Sequence, residues 1–215
     1  MSGSSGFLDE LEVDALTELV NIGVSRAASS LRQMVQRQVF LSVPSIEVIS
    51  RRDAATLMAE REIGPLVAVR QEFTGAFAGR ALLIFPEANS LALVRAVTGD
   101  ELSEAEAADL EDEALAETGN VVLNNCLATM ANMLQRPLEM SLPGVMRDPG
   151  PALFEIDAGE DDGVVLFLYI NFAVTERDIR GYIAILMDLP SLDALKTLVG
   201  EFIQRVLGQG AAAEA

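Results

Sequence analysis

The chain has 215 residues, enough for one large domain or two small fused units. Its net charge of −18 disfavours contact with a phosphate backbone, so we expect no nucleic acid partner. The absence of histidine excludes histidine-dependent nucleophiles, histidine general bases and histidine-ligated metals. The single Cys126 cannot form an internal disulfide and fits a reducing compartment. Neither a leader nor an apolar run of about 20 residues is recognisable. We therefore expect a cytoplasmic protein without a membrane span.

The first half of the chain predicts a long helix, then strands, then a second helix. We assign residues 1–7 to a disordered start or a remnant of cloning. Apolar residues at helical spacing then predict an amphipathic helix over about residues 8–35. After it we predict strands at 39–43, 46–49, 67–74 and 80–85, and a helix at 89–97 that ends at Gly99.

The second half predicts the same order of elements. We expect a long helix at about 110–134, strands at 138–142, 152–156, 164–174 and 182–187, and a helix at 191–206 that ends at Gly208. Residues 209–215 are assigned to a flexible tail. The acidic run at 157–162 has Leu168 where a calcium loop needs its twelfth-position glutamate. We therefore interpret Asp162-Gly163 as a hairpin turn and not as part of a metal site.

The two halves are copies of one unit. An offset of 99 residues aligns residues 14–44 with 113–143 without a gap, and nine of the 31 aligned pairs are identical. We therefore predict a single domain over residues 8–208, made of repeats at about 8–106 and 107–208. Its fold class is α/β, in an α+β layered form, with long helices packed on a continuous, mostly antiparallel sheet and related by a pseudo-two-fold axis. Pro44 and Pro143 lack a backbone donor and should lie at a sheet edge or irregularity.

Each predicted opening helix carries the same polar pattern, an acidic residue, then glutamate four residues later, then asparagine three residues after that. Offsets of four and three place these side chains on one helical face. In each copy the asparagine is followed after 22 residues by proline. The candidate site residues are therefore Asp14, Glu18 and Asn21 in the first copy, and Glu113, Glu117 and Asn120 in the second.

This duplicated pattern resembles the active-site signature of the CheC family of chemotaxis phosphatases, whose relatives include CheX and FliY. The segments Glu18-Leu-Val-Asn-Ile-Gly23 and Phe73-Thr-Gly-Ala-Phe-Ala-Gly79 carry the likeness, which covers nearly the whole chain after residue 7. Two departures are the leading Glu113 and the Val121-Val122 pair that replaces Ile-Gly. With two sites, the chain is most similar to CheC-type members.

The resemblance implies a phosphatase that dephosphorylates the phosphoaspartate of a CheY-type response regulator. Asn21 and Asn120 would orient the attacking water, since an amide both accepts and donates without titrating near neutral pH. Glu18 and Glu117 would contact a lysine beside the phosphoaspartate. Mg²⁺ would be supplied by the regulator, so this chain would bind no cofactor. The resemblance also leaves a CheD-type deamidase open as a partner.

Other interpretations of the same residues stay open. The asparagines could bond within their own helices, and the glutamates could be solvated. Asp14 and Glu113 could either contact the partner or complement the positive end of their helices. The whole chain could be a non-catalytic response-regulator-binding module or flagellar-switch adaptor of the same fold. A hydrolase using Glu18 and Glu117 as a carboxylate pair is a third alternative.

Overall fold

The computed structural model of the chain describes residues 6–35, 38–98, 103–148, 150–154, 163–174 and 177–213. The helices in these ranges are α1 (Glu10–Val35), α2 (Arg51–Arg61), α3 (Ser90–Thr98), α4 (Glu104–Asp109), α5 (Glu111–Leu134), α6 (Gly150–Leu153) and α7 (Leu189–Ala213). The strands are β1 (Val39–Ser50), β2 (Leu66–Gly75), β3 (Gly79–Pro86), β4 (Leu138–Met140), β5 (Gly144–Asp148), β6 (Gly163–Val174) and β7 (Arg177–Asp188).

The strands form one antiparallel sheet in the order β1-β6-β7-β3-β2, and both β4 and β5 pair with the outer side of β2. Exchanging the repeats turns β1 into β4 and β5, β6 into β2, and β7 into β3, which reverses this order. The pseudo-two-fold axis therefore passes between β7 and β3. Each repeat supplies an edge strand to the other, because β1 pairs with β6 while β4 and β5 pair with β2. The predicted fold class is confirmed.

Helices cover both faces of this sheet. The alternation of side chains along each strand separates two buried clusters. In β7, Ile183 and Ile185 belong to the larger cluster, which α1, α3, α5 and α7 cover, whereas Tyr182 and Ala184 belong to the smaller one beneath α2 and α6. Phe7, the last residue of the expected disordered start, packs partly buried against the larger cluster. Among the described residues, no helix combines the length and apolar character needed to cross a membrane.

The two long helices, α1 and α5, pack against each other on the same face of the sheet. Gly23 makes this approach close: a Cβ atom there would lie 2.8 Å from the Cα of Cys126. Gly119 brings α5 equally close to the sheet, since its Cβ would lie 2.4 Å from a methyl carbon of Val69. Helix-to-helix and helix-to-sheet distances in this layer are therefore set by small residues.

Several predicted elements differ from the structure. The predicted strands at 39–43 and 46–49 are one strand, β1, with a register shift between Ser42 and Ser45. This shift flanks Pro44, and β1 is an edge strand, as expected for a residue without a backbone donor. Pro143 lies between β4 and β5, outside both strands.

The expected strand at 152–156 is wrong, because 150–153 form α6; residues 155–162, including the acidic run, lie outside the described part. Helix α7 continues past Gly208 to Ala213, into the expected flexible tail, because three alanines, the strongest helix formers, follow. Gly99 is likewise outside the described residues. Helix α2 has no counterpart among the predicted elements; Ser50 caps it by accepting a hydrogen bond from the Asp53 backbone at 3.0 Å.

Candidate functional site

Helix α1 presents the first set of candidate residues along its outer side. The helix begins with a reciprocal cap, in which the Glu12 backbone donates to Asp9 Oδ1 at 2.8 Å and the Asp9 backbone donates to Glu12 Oε2 at 2.9 Å. Asp14 and Glu18 are exposed, and Asn21 is half-buried. The spacing therefore places all three on one accessible face, as the sequence predicted.

Helix α5 presents the second set in the same way, with Glu113 and Glu117 exposed and Asn120 half-buried. Its first turn carries three acidic residues, which complement the positive end of the helix. Arg147 of β5 holds this end in place through ion pairs at 2.7 Å to Asp112 and 3.3 Å to Glu111. These exposed pairs each contribute at most about 1 kcal/mol, so their main effect is to fix where α5 begins.

The first site opens onto a groove of about 560 Å³ between α1 and α5. Its α1 wall carries Glu18 and Asn21, and Asn125 contributes from α5. The Asn125 amide is already committed, since it donates to the Val121 carbonyl of its own helix at 2.7 Å. Among the described residues, the Asn21 side chain has no hydrogen-bond partner. Its amide is thus available to a ligand in the groove.

The second site has different hydrogen bonding. The carbonyl oxygen of Asn120 accepts from Asn124 Nδ2 at 2.6 Å and from Gln71 Nε2 at 3.2 Å. The same Gln71 nitrogen lies 3.2 Å from Asn124 Oδ1 and 2.9 Å from the Ser141 carbonyl. We call Gln71, Asn120 and Asn124 the amide cluster. The two candidate sites are therefore equivalent in their motif residues but not in their surroundings.

Gln71 is not among the site residues predicted from the sequence. It is 1% exposed, on the side of β2 that otherwise buries Val67, Val69 and Phe73 beneath α5. In the sequence, Gln71 occupies a position of an alternating strand where an apolar residue is expected. This pattern indicates a functional or structural contact, because a buried amide needs hydrogen-bond partners. Only the packing of α5 on β2 shows that its partners include a candidate site residue.

Two further chemistries can be judged from the described residues. No group of three or more acidic or cysteine side chains there is placed to hold a metal ion. Cys126 is fully buried in α5, and burial raises the pKa of its thiol from 9.0 to about 12. A thiolate nucleophile is the reactive form of cysteine. At neutral pH Cys126 is therefore a small apolar core residue, as expected.

The fold matches the solved structures of two other proteins. The structure of FliY from Thermotoga maritima superposes with a TM-score of 0.69 and 16% identity, covering 91% of this chain and 98% of that one. The FliM middle domain from H. pylori gives a TM-score of 0.61 at 8% identity, covering 89% and 99%. At such low sequence identities, the structural similarity shows that this chain shares their fold.

Sequence comparisons relate the chain to a protein family and to individual proteins. Residues 11–48 match the family model described as the CheC-like family, a segment that includes Asp14, Glu18, Asn21 and Pro44. The chain is 22% identical over 208 residues to the CheY-P phosphatase CheC of Bacillus subtilis, covering 93% of this chain and 99% of that protein. It is 24% identical over 140 residues to the flagellar motor switch phosphatase FliY of the same organism, covering 64% of this chain and 36% of FliY. The predicted resemblance to the CheC family is confirmed.

Proposed function

We propose that this chain hydrolyses the phosphoaspartate of a CheY-type response regulator. The main support is that α1 and α5 each present an acidic residue, a glutamate and an asparagine on one face. In both copies the glutamate is exposed and the asparagine is half-buried, on the outer side of two helices that pack together. The names of the relatives support the same substrate, since B. subtilis CheC is a CheY-P phosphatase. The residues of the proposed sites are Glu18 and Asn21 in the first, and Glu117 and Asn120 in the second.

The proposed reaction requires the side chains only to position a water molecule. An acyl phosphate is already reactive, so acceleration requires a water placed in line with the phosphorus. The Asn21 carbonyl would accept one hydrogen of that water, which directs an oxygen lone pair at the phosphorus. The water oxygen then forms a bond to phosphorus, the bond to the aspartate oxygen breaks, and the water protons pass to phosphate and solvent. No side chain needs to titrate.

The glutamates would select and orient the partner. Glu18 lies one helical turn before Asn21, so an ion pair between Glu18 and a lysine of the regulator would fix the register of α1 against the phosphoaspartate. Asp14, a further turn back, would extend this contact, as would Glu113 in the second copy. As the resemblance implies, Mg²⁺ would be supplied by the regulator. We place this encounter in the cytoplasm.

Removing both asparagines tests the proposal. We expect Asn21→Ala with Asn120→Ala to retain binding to the phosphorylated regulator but to lose accelerated dephosphorylation. Deleting one preorganised contact costs about 2–4 kcal/mol in the barrier, so the rate should fall by roughly 10²-fold or more. The assay is loss of phosphate from the regulator in the presence of Mg²⁺. Asn132→Ala is the matched control, because Asn132 is an exposed asparagine nearer the end of α5.

The same assay separates the enzyme from a non-catalytic adaptor. An adaptor would bind the regulator without shortening the lifetime of its phosphate, and neither asparagine would change that lifetime. A double variant as fast as the parent would therefore remove the phosphatase proposal. A CheD-type deamidase stays a prediction of the resemblance, to be tested by direct binding of the purified proteins.

A further inference from the structure

The amide cluster engages the atom that the proposed mechanism requires at the second site. A carbonyl oxygen has two lone pairs. Asn120 Oδ1 accepts from Asn124 Nδ2 at 2.6 Å and lies 3.2 Å from Gln71 Nε2, whose two hydrogens are shared among Asn120 Oδ1, Asn124 Oδ1 and the Ser141 carbonyl. A water molecule can receive a hydrogen bond from the Asn120 NH₂ group, but to donate one to the Asn120 oxygen it must compete with the donors already there. The amide can touch a water without directing a lone pair at phosphorus.

The orientation of Gln71 follows from its own surroundings. Its nitrogen faces the Ser141 carbonyl at 2.9 Å, an atom that can only accept, so this end of the amide must be the NH₂ group. Its oxygen is buried and has no hydrogen-bond partner in the described part of the chain. Burying an amide oxygen without a partner is unfavourable, and leucine would avoid that cost at this position. Gln71 thus contributes only donors to the cluster.

The first site lacks this arrangement. The repeat aligns residues 79–85 with 181–187, so Ile84 of β3 corresponds to Leu186 of β7. Their partners on the neighbouring strands, Ala68 of β2 and Val165 of β6, correspond in turn. Three residues further along each strand, Gln71 exchanges with Leu168, which is buried in the same apolar cluster. The 99-residue repeat pairs Asn124 with Ser25, a groove residue. Neither partner of Asn120 has an equivalent beside Asn21.

We propose that Gln71 and Asn124 are positioning residues that hold the Asn120 amide with its carbonyl occupied, so that the second site is restrained and the first site carries most of the turnover. This inference rests on the proposed phosphatase function. It assigns Asn120 a donor contact to the bound regulator, whereas Asn21 orients the attacking water.

Single-site variants test which site turns over. Asn21→Ala should lower kcat about tenfold or more, and this loss should be several times larger than the loss caused by Asn120→Ala; a tenfold loss corresponds to about 1.4 kcal/mol in the barrier. In the Asn21→Ala background, replacing Gln71 and Asn124 by their counterparts, as Gln71→Leu with Asn124→Ser, should raise kcat about tenfold with little change in KM. In the Asn120→Ala background the same pair of changes should have no such effect, because the carbonyl they release is absent.

Three results would overturn the proposal. Equal losses from the two single asparagine variants would show that the sites are equally competent. A further loss of kcat on adding Gln71→Leu and Asn124→Ser to Asn21→Ala would show that the cluster assists Asn120. An unchanged kcat in that background would show that the carbonyl is not restrained. If Gln71→Leu fails to fold, Asn124→Ser alone removes the shorter of the two hydrogen bonds and carries the same expectation.

A measurement without turnover separates this inference from the proposed function. Relaxation of the side-chain amide nitrogens by NMR should show Asn120 more ordered than Asn21 in the parent, and the order of Asn120 should fall in Gln71→Leu. Equal order in the parent would overturn the restraint even in an active phosphatase. A parent that never accelerates dephosphorylation would remove the proposed function, and with it the assignment of turnover to the first site.

Discussion

Replacing Gly23 by alanine would test how closely α1 and α5 approach each other. The new Cβ would lie 2.8 Å from the Cα of Cys126 and 3.4 Å from the Asn125 carbonyl oxygen, and both are backbone atoms that no rotamer change can move. Carbon atoms in contact normally lie about 3.5–4.0 Å apart, so the helices would have to separate by roughly 0.7–1.2 Å. Because α1 and α5 carry the two proposed sites, this shift would also change their relative position.

Gly23→Ala changes the free energy of unfolding through two opposed effects. Alanine favours the helix over glycine by about 0.8–1.0 kcal/mol. Overpacking a buried contact costs typically about 1–3 kcal/mol. Gly200 in α7 provides the matched control, since it is a helical glycine with nothing within 4 Å of a Cβ atom. Gly200→Ala should therefore stabilise the protein by about the propensity difference alone. The difference between the two variants isolates the overpacking cost, and we expect about 1–3 kcal/mol.

Urea unfolding followed by far-UV circular dichroism measures both variants. With equal slopes against urea, the shift in midpoint reports stability directly. Substitutions without a packing consequence usually change the free energy of unfolding by less than about 0.5 kcal/mol. If the two variants differ by less than this amount, the close approach of α1 and α5 is refuted.

Three further predictions concern the site and the core. Glu18→Gln should raise KM for the phosphorylated regulator and flatten its dependence on salt while changing kcat little; an effect on kcat alone would assign Glu18 to the chemical step. Free acetyl phosphate should not be hydrolysed detectably faster than in buffer, since an open helix face cannot enclose a small substrate, and rapid turnover without regulator would contradict a docked water-positioning site. Burial raises the pKa of the Cys126 thiol from 9.0 to about 12, so the folded protein should resist iodoacetamide at pH 8 and react in concentrated urea. Since the unfolded chain ionises first, the stability contributed by the neutral thiol is complete below pH 9.0 and is lost as pH rises towards about 12; Cys126→Ala should remove that share of the alkaline loss, measured by urea midpoints at pH 8 and 10.

Sequence alone determined the repeat, the long helices and the face that each helix exposes. These are local or periodic properties: offsets of three and four place Glu18 and Asn21 together on any helix, and an exact duplication of spacing does not depend on packing. It also indicated the layered class, because strands with alternating apolar residues need helices to cover them. Elements whose local signal was weak were less predictable, as shown by α2 and by α6, which replaced an expected strand.

Only the tertiary structure decided how the repeats interlock and how their sites differ. The sequence of a strand does not specify which strand it pairs with, so only the strand order of the sheet shows that the repeats exchange edge strands. In the same way, Gln71 and Asn120 are 49 residues apart in the chain and come into contact because α5 lies on β2. The repeat made the two sites look alike, since it compares residues along the chain. The hydrogen bonds that distinguish Asn120 from Asn21 depend on what lies beneath each helix, which packing alone determines.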